Sequence, residues 1–203
     1  ELAKVVVAGN VPKTPFANSK KAVKQKGVLK LIYLSLITEK KNLLLLLNVL
    51  LKSNENIELD IYGPIKDQQY WKQCQQLIEQ QPKNILITYK GDISPALVQE
   101  TISKYDALVL LTKGENFGHA LYESLSVGTP IITSKFTPWQ DLENKFAGWM
   151  VDIDNEEAIL KQINSLVHYN EQEWQKFSDG ALAMAKKYFD GNNFVEDYSL
   201  LFN

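Results

Sequence analysis

The chain has 203 residues, 45% of them hydrophobic and 23% charged, with a formal net charge of −2. This is globular composition with enough chain for one good-sized core or two small ones, and without the basic excess of a nucleic-acid-binding domain. A single cysteine, Cys74, excludes an internal disulfide and any zinc site built on several thiolates; with only His119 and His168 beside it, a histidine-rich metal centre is not expected either. All 22 basic residues are lysine. An anion bound here is therefore held by lysine ammonium groups, hydroxyls and backbone N–H groups rather than by a bidentate guanidinium fork. The most apolar stretch, Leu43 to Leu51, is nine residues interrupted by Asn48, against the roughly 20 that a spanning helix needs. No charged start followed by an apolar run opens the chain, so a cytoplasmic protein is the default. The opening Glu1-Leu2-Ala3 suggests a processed chain or an excised fragment.

Lys4 to Ala8 (KVVVA) reads as a short strand or extended segment. Gly9 to Gly27 holds Pro12 and Pro15, and Lys13, Lys20, Lys21, Lys24, Lys26 and Lys30 follow one another with no acid between Glu1 and Glu39. This stretch is either a solvated linker or a positive patch that faces anionic lipid or a phosphorylated ligand. From Val28 the chain alternates. Strand-like Val28 to Leu34 is followed by an apolar helix over Lys41 to Lys52, a strand over Ile57 to Tyr62 and a Gln-rich helix from about Asp67 to Gln80. Asn84 to Tyr89 is the next strand, and a helix runs from about Pro95 to Lys104. Ala107 to Leu111 is continuously apolar, the pattern of a strand buried on both faces. A helix from about Gly118 to Val127 and two short strands, Pro130 to Thr133 and Gly148 to Val151, come next. Beyond Asn155 the pattern is helical, with Gly180 and Gly191 as possible breaks. Such alternation predicts an α/β domain with a doubly wound parallel sheet and helices on both faces.

In open parallel sheets the ligand lies beyond the carboxyl ends of the strands, beside helix N-termini. Five loops qualify: 35–40, 63–66, 90–94, 112–117 and 134–139. The fourth, Thr112-Lys113-Gly114-Glu115-Asn116-Phe117-Gly118, follows the most buried strand and leads directly into a helix. Its glycines let backbone approach a ligand, and the new helix offers unpaired N–H groups to an anion, phosphate above all. The G-x-G-x-x-G dehydrogenase fingerprint is absent, which weakens a nicotinamide reading. Glu115 and Glu123 bracket the helix start. A carboxylate beside a phosphate site is costly unless it serves neutral hydroxyls such as those of a ribose or sugar, for which it is a strong acceptor. The plainer alternative is a loop residue and a solvated helix residue. Trp71 and Trp174 are expected to pack helices on the core, Trp139 and Trp149 are candidates to line a cleft, Cys74 is expected to be an inert, partly buried thiol, and His168 a helix-surface residue near a C-terminus.

The segment from Gly114 to Glu123, followed by Ser124 to Pro130, resembles the Glu-x₇-Glu signature of the group 1 (family 4) retaining glycosyltransferases. Leu34 to Asn42, Ile61-Tyr62-Gly63-Pro64, Tyr89-Lys90-Gly91, Pro138-Trp139 and Gly148-Trp149 are similar to the family's other loops, so the likeness spans nearly everything from Val28 onward. The resemblance implies the C-terminal, donor-binding half of a GT-B fold. Residues 1–27 would then be an extended linker from a missing N-terminal acceptor domain, and residues 28–203 a nucleotide-sugar-binding α/β domain with C-terminal helices.

The resemblance further implies a nucleoside diphosphate sugar as donor substrate, no cofactor and no bound metal. Glu115 would contact the transferred sugar, and Lys41 would pair with the diphosphate; these two are the implied catalytic residues. Phe117 and Gly118 would shape the sugar pocket, with Asn116 and Leu121 beside them. N–H groups around His119 and Ala120 would meet the diphosphate, and Glu123 would hold the ribose hydroxyls. Backbone from Gly91 to Ile93 would line the base, with Ser35, Gly63 and Lys90 completing the donor site. Where the family carries an arginine beside the diphosphate this chain has Leu36, for which Lys40, Lys113 or Lys135 are candidate substitutes. The implied role is sugar transfer in bacterial surface polysaccharide synthesis, at the inner face of the membrane with possible peripheral contact to anionic lipid. The alternative is a nucleotide-sugar-binding or scaffold module that has lost activity through Leu36. Without the acceptor domain and its catalytic histidine, the chain alone is expected to bind donor but turn it over poorly.

Overall fold

The strands sort by how apolar they are. The computed structural model describes residues 12–15 and 23–192, and the expected strand at Lys4 to Ala8, like Lys20 and Lys21, lies outside them. In chain order the elements are β1 (Leu29–Leu34), a 3₁₀ turn (Glu39–Lys41), α1 (Leu43–Leu50), β2 (Ile57–Tyr62), α2 (Gln68–Ile78), β3 (Ile85–Gly91) and α3 (Val98–Ile102). There follow β4 (Ala107–Leu110), α4 (His119–Ser126), β5 (Ile131–Ser134), β6 (Gly148–Val151), α5 (Glu156–Val167) and α6 (Glu171–Asp190). The six strands form one sheet, all pairs parallel, in the order β3-β2-β1-β4-β5-β6. The continuously apolar β4 is central and buried at every residue, as is its neighbour β5 (Ile-Ile-Thr-Ser), whereas β2, which alternates Ile-Glu-Leu-Asp-Ile-Tyr, buries only alternate side chains. Helices α1, α2 and α5 pack together on one face, and α3, α4 and α6 on the other.

Local chemistry fixes the element ends. Asp67 accepts the N–H of Tyr70 at 2.9 Å to start α2, Asn155 accepts that of Ala158 at 2.9 Å to start α5, and Asn170 with Glu173 closes a reciprocal capping box at α6. Gly63 is where β1 and β2 run out side by side. A Cβ there would stand 1.9 Å from the Ser35 carbonyl oxygen, and φ is +128°.

Several expectations are corrected. The helix expected from Pro95 begins only at Val98, because Ser94 to Leu97 forms a turn closed by the Leu97 N–H on the Ser94 carbonyl at 2.9 Å. Gly180 does not break α6; it is the place where that helix touches the backbone at Lys145 and Phe146, whose carbonyl oxygens would lie 2.3 Å from a Cβ. Cys74 is fully buried rather than partly, and burial pushes its thiol up to about 12, so it is inert at neutral pH. Trp71 and Trp174 are buried as expected, and His168 caps the end of α5, exposed, with its Nε2 3.1 Å from Glu55.

Lys24 departs from both readings of the lysine-rich start, solvated linker and positive patch. Its side chain is wholly buried, with Nζ 2.8 Å from the Gln25 carbonyl, on the Val28 carbonyl, and 3.6 Å from Asp106. Asp106 in turn accepts the Lys30 N–H at 2.8 Å. Burial lowers the Lys24 pKa and raises that of Asp106, and their mutual attraction offsets part of each shift. Among the described residues no helix is long and apolar enough to cross a membrane.

Candidate functional site

Strand order reverses between β1 and β4. The chain winds outward from β1 to β3, then returns to lay β4 against the other side of β1, with Leu31 opposite Ala107. At such a switch point the loops diverge and leave a crevice beyond the strands' carboxyl ends. The two loops that flank it, after β1 and after β4, are tied together. The Lys113 N–H donates to the Lys40 carbonyl at 2.9 Å, the Thr112 hydroxyl to the same carbonyl at 3.3 Å, and Lys113 pairs with Glu39 at 2.9 Å. Inside these ties the Lys41 ammonium donates to the Glu115 carboxylate, and both side chains are largely buried.

A cavity of about 630 Å³ opens here. Ser35, Lys41, Gly63, Ile93, Glu115, His119, Ala120 and Glu123 all line it, so eight of the fourteen residues singled out from the sequence converge on one space. Glu115 is held by its own N–H donating to the Phe136 carbonyl at 2.9 Å. Glu123 follows one turn into α4. The start of α4 is built differently from those of α2, α5 and α6. Gly118, at φ +77°, occupies the N-cap position with no side-chain cap, and among the described residues no acceptor takes the N–H groups of His119, Ala120 or Leu121. Those donors, with the positive end of the helix dipole, lie between the two carboxylates.

Six of the fourteen do not line the cavity. Lys90 is skipped where the β2–β3 register shifts, so that Tyr62 pairs with Gly91, and its ammonium turns to Asp60 at 3.5 Å. The Gly91 carbonyl is taken by the Gly63 N–H at 2.9 Å. Phe117 and Leu121 are buried beneath the helix start, Gly118 is buried in the turn, and Asn116 faces solvent. The three lysines considered as substitutes at Leu36 also lie elsewhere. Lys40 runs along Gly114, Lys113 pairs with Glu39 and Lys135 lies 3.8 Å from Asp152. Leu36 itself lines the cavity and is 44% exposed.

Neither Trp139 nor Trp149 lines it. Trp139 is buried against Phe117, Tyr122 and Tyr188 at ring separations of 5.4–5.9 Å and donates its indole N–H to the Phe117 carbonyl at 2.7 Å. It therefore supports the helix start from below. Trp149 stacks on Phe177 at 4.3 Å.

Sequence reasoning missed Pro95 and Val98 as cavity residues, whereas Asp92 falls within the Gly91 to Ile93 backbone expected at the base, and Lys13 within the stretch read as a solvated linker or a patch for a phosphorylated ligand. Pro95 follows directly on the 90–94 loop picked out by its place after β3; the run of lysines marks Lys13 as a candidate for an anion, but no local signal singles it out from the other lysines as the one that reaches the cavity. The expectation of no bound metal takes an Asp-x-Asp motif to be absent, and that is corrected: one is present as Asp152-Ile153-Asp154. It lies just past β6, away from the cavity, and no group of three acids, histidines or cysteines suited to a metal ion occurs among the described residues.

Solved structures share this architecture. A Staphylococcus aureus TarM mutant in complex with fondaparinux, α-GlcNAc-glycerol and UDP superposes with a TM-score of 0.78 at 18% identity, covering 97% of this chain and 39% of that one. Anabaena HepE in complex with UDP-glucose gives 0.72 at 18%, covering 88% and 49%. The apo lipopolysaccharide outer core galactosyltransferase WaaB gives 0.62 at 20%, covering 94% and 54%. The chain thus spans about two fifths to just over half the length of these structures. No curated protein matches. The model for glycosyl transferases group 1 matches residues 16–181, which include the whole sheet and both acids of the helix start, and the chain belongs to that family.

Proposed function

We propose that the chain is the donor-binding domain of a retaining glycosyltransferase that takes a nucleoside diphosphate sugar. The observation that carries this is the uncapped start of α4, whose free N–H groups open between Glu115 and Glu123 on the switch-point cavity. Free amide donors and a helix dipole suit a diphosphate, and flanking carboxylates suit the hydroxyls on either side of it. In the proposed arrangement Glu123 accepts from the ribose, Glu115 from the transferred sugar, and Asp92 with Ile93 lies toward the base. Solved structures of this architecture bound to UDP and UDP-glucose support a nucleotide ligand.

Transfer breaks the bond between the sugar's anomeric carbon and the diphosphate oxygen, and the electron pair leaves on the diphosphate, while an acceptor hydroxyl oxygen bonds to that carbon and its proton passes to the diphosphate. The residues that matter are those that meet that charge as it grows. N–H groups of His119 and Ala120 are already oriented, so they cost no reorganisation, and Lys41 is released toward phosphate when Glu115 turns to the sugar. Charge-assisted hydrogen bonds contribute about 1.5–3 kcal/mol each, and the helix terminus about 0.3–2 kcal/mol. Surface polysaccharide synthesis is the setting we propose, with the lysine-rich start near anionic lipid. Leu36 on the cavity wall favours a second reading, a module that binds the donor without transferring from it.

A thermal-shift panel of UDP, GDP and ADP with their glucose conjugates tests the proposal. One nucleoside diphosphate at about a hundred times its dissociation constant is expected to add about 2.7 kcal/mol of apparent stability. No shift with any of them would contradict it.

A further inference from the structure

The cavity described above has an electrostatic problem. Its lining carries three carboxylates, Asp92, Glu115 and Glu123, and no arginine is available anywhere in the chain. Against them stand two ammonium groups, Lys41 and Lys13. With both lysines in place the lining has one excess negative charge; without Lys13 it would have two. A diphosphate entering a partly buried space meets that excess with little screening.

Lys13 comes from well before the first strand, yet it is seated with care. Its carbonyl accepts the Tyr122 hydroxyl at 2.9 Å, the next carbonyl, of Thr14, accepts Gln99 Nε2 at 3.3 Å, and Pro12 is buried. Helices α3 and α4 thus hold the segment 12–15 at its backbone. The Lys13 ammonium lies 2.7 Å from Glu123 and 2.5 Å from the Pro95 carbonyl, both cavity residues. An ammonium has three N–H donors, and among the described residues only these two acceptors are in place for it. The third donor is left for a ligand, on a side chain that is still 40% exposed.

We infer that Lys13 is a donor-site residue, the second cation of the anion cradle, which binds the diphosphate once Glu123 turns to ribose hydroxyls. This rests on the nucleoside diphosphate sugar reading of the same cavity. Residues 12–15 are then part of the binding site rather than of a tether. The competing role is a plug, in which Lys13 occupies Glu123 and has to be displaced before anything binds.

Calorimetric titration of the whole chain and its Lys13→Met and Lys13→Arg variants separates these roles, with UDP, GDP and ADP and with uridine, guanosine and adenosine as ligands. Lys13→Met is expected to lose about tenfold in affinity for the nucleoside diphosphate, to keep or gain affinity for the nucleoside, and to show a weaker salt dependence. Lys13→Arg, which keeps the charge, is expected to retain most of the diphosphate affinity. Equal or tighter diphosphate binding by Lys13→Met, with wild type binding normally, would overturn this inference and leave the functional reading standing. Absence of diphosphate binding by wild type would overturn both.

Discussion

Replacing Glu115 with glutamine is expected to weaken nucleotide-sugar binding by about 10- to 100-fold while leaving the bare nucleoside diphosphate unaffected or bound more tightly. The first half follows from the carboxylate's role as a charged acceptor of sugar hydroxyls, an interaction of about 1.5–3 kcal/mol. The second follows from its partner. Lys41 spends its charge on Glu115 in the free protein, so neutralising the acid frees the ammonium for phosphate. Glutamine keeps the shape, and the Glu115 N–H still has the Phe136 carbonyl, so the loop is expected to hold. Glu123→Gln provides the contrast. Acting on the ribose, which both ligands carry, it is expected to weaken both alike. Titration calorimetry with a nucleotide sugar and its nucleoside diphosphate measures the ratio directly. Equal loss for both ligands in Glu115→Gln would mean that the acid only shapes the loop.

Trp139→Ala is expected to destabilise the protein by about 3–5 kcal/mol, the usual range for deleting a buried large aromatic. The indole is 4% exposed and touches three aromatic rings, two from around the start of α4 and one from the end of α6. Its loss also strips the Phe117 carbonyl of its donor, one residue before the turn that opens α4. Trp139→Phe separates the two contributions. It keeps most of the ring packing and loses the N–H, so about 1–2 kcal/mol is expected from the unmade hydrogen bond and the smaller ring. Urea unfolding monitored by circular dichroism checks both variants. A change within about 1 kcal/mol for Trp139→Ala would mean that the cluster rearranges around the gap.

The parts of the fold legible in the sequence are those where local pattern and burial agree. Ile57 to Tyr62 alternates because one face of β2 is covered, Ala107 to Leu110 does not alternate because both faces of β4 are, and the loop between β4 and α4 is where the acids converge on the cavity. Legibility ends where a residue's environment is set by a distant partner. Lys24 reads as solvated because its neighbours are lysines, yet Asp106 and two carbonyls accompany it into the interior. Trp139 looks like a cleft residue beside Pro138, and it does border a second cavity with Met184 and Tyr188 of α6, but not the cavity at the switch point. Lys90 fits a site loop by sequence, and a single register shift turns it to Asp60. Lys13 belongs to a lysine-rich stretch that reads as either a linker or an anion-facing patch, and its place in the cavity is set by contacts of its segment with α3 and α4.

In the proposed function the free amides of α4 receive a diphosphate. A crystal structure of the chain with the nucleoside diphosphate that gives the largest thermal shift tests it most directly. Diphosphate oxygens are expected within hydrogen-bond distance of the His119 and Ala120 N–H groups, with Glu123 on the ribose. A nucleotide bound elsewhere on the molecule, with those amides facing only water, would contradict it.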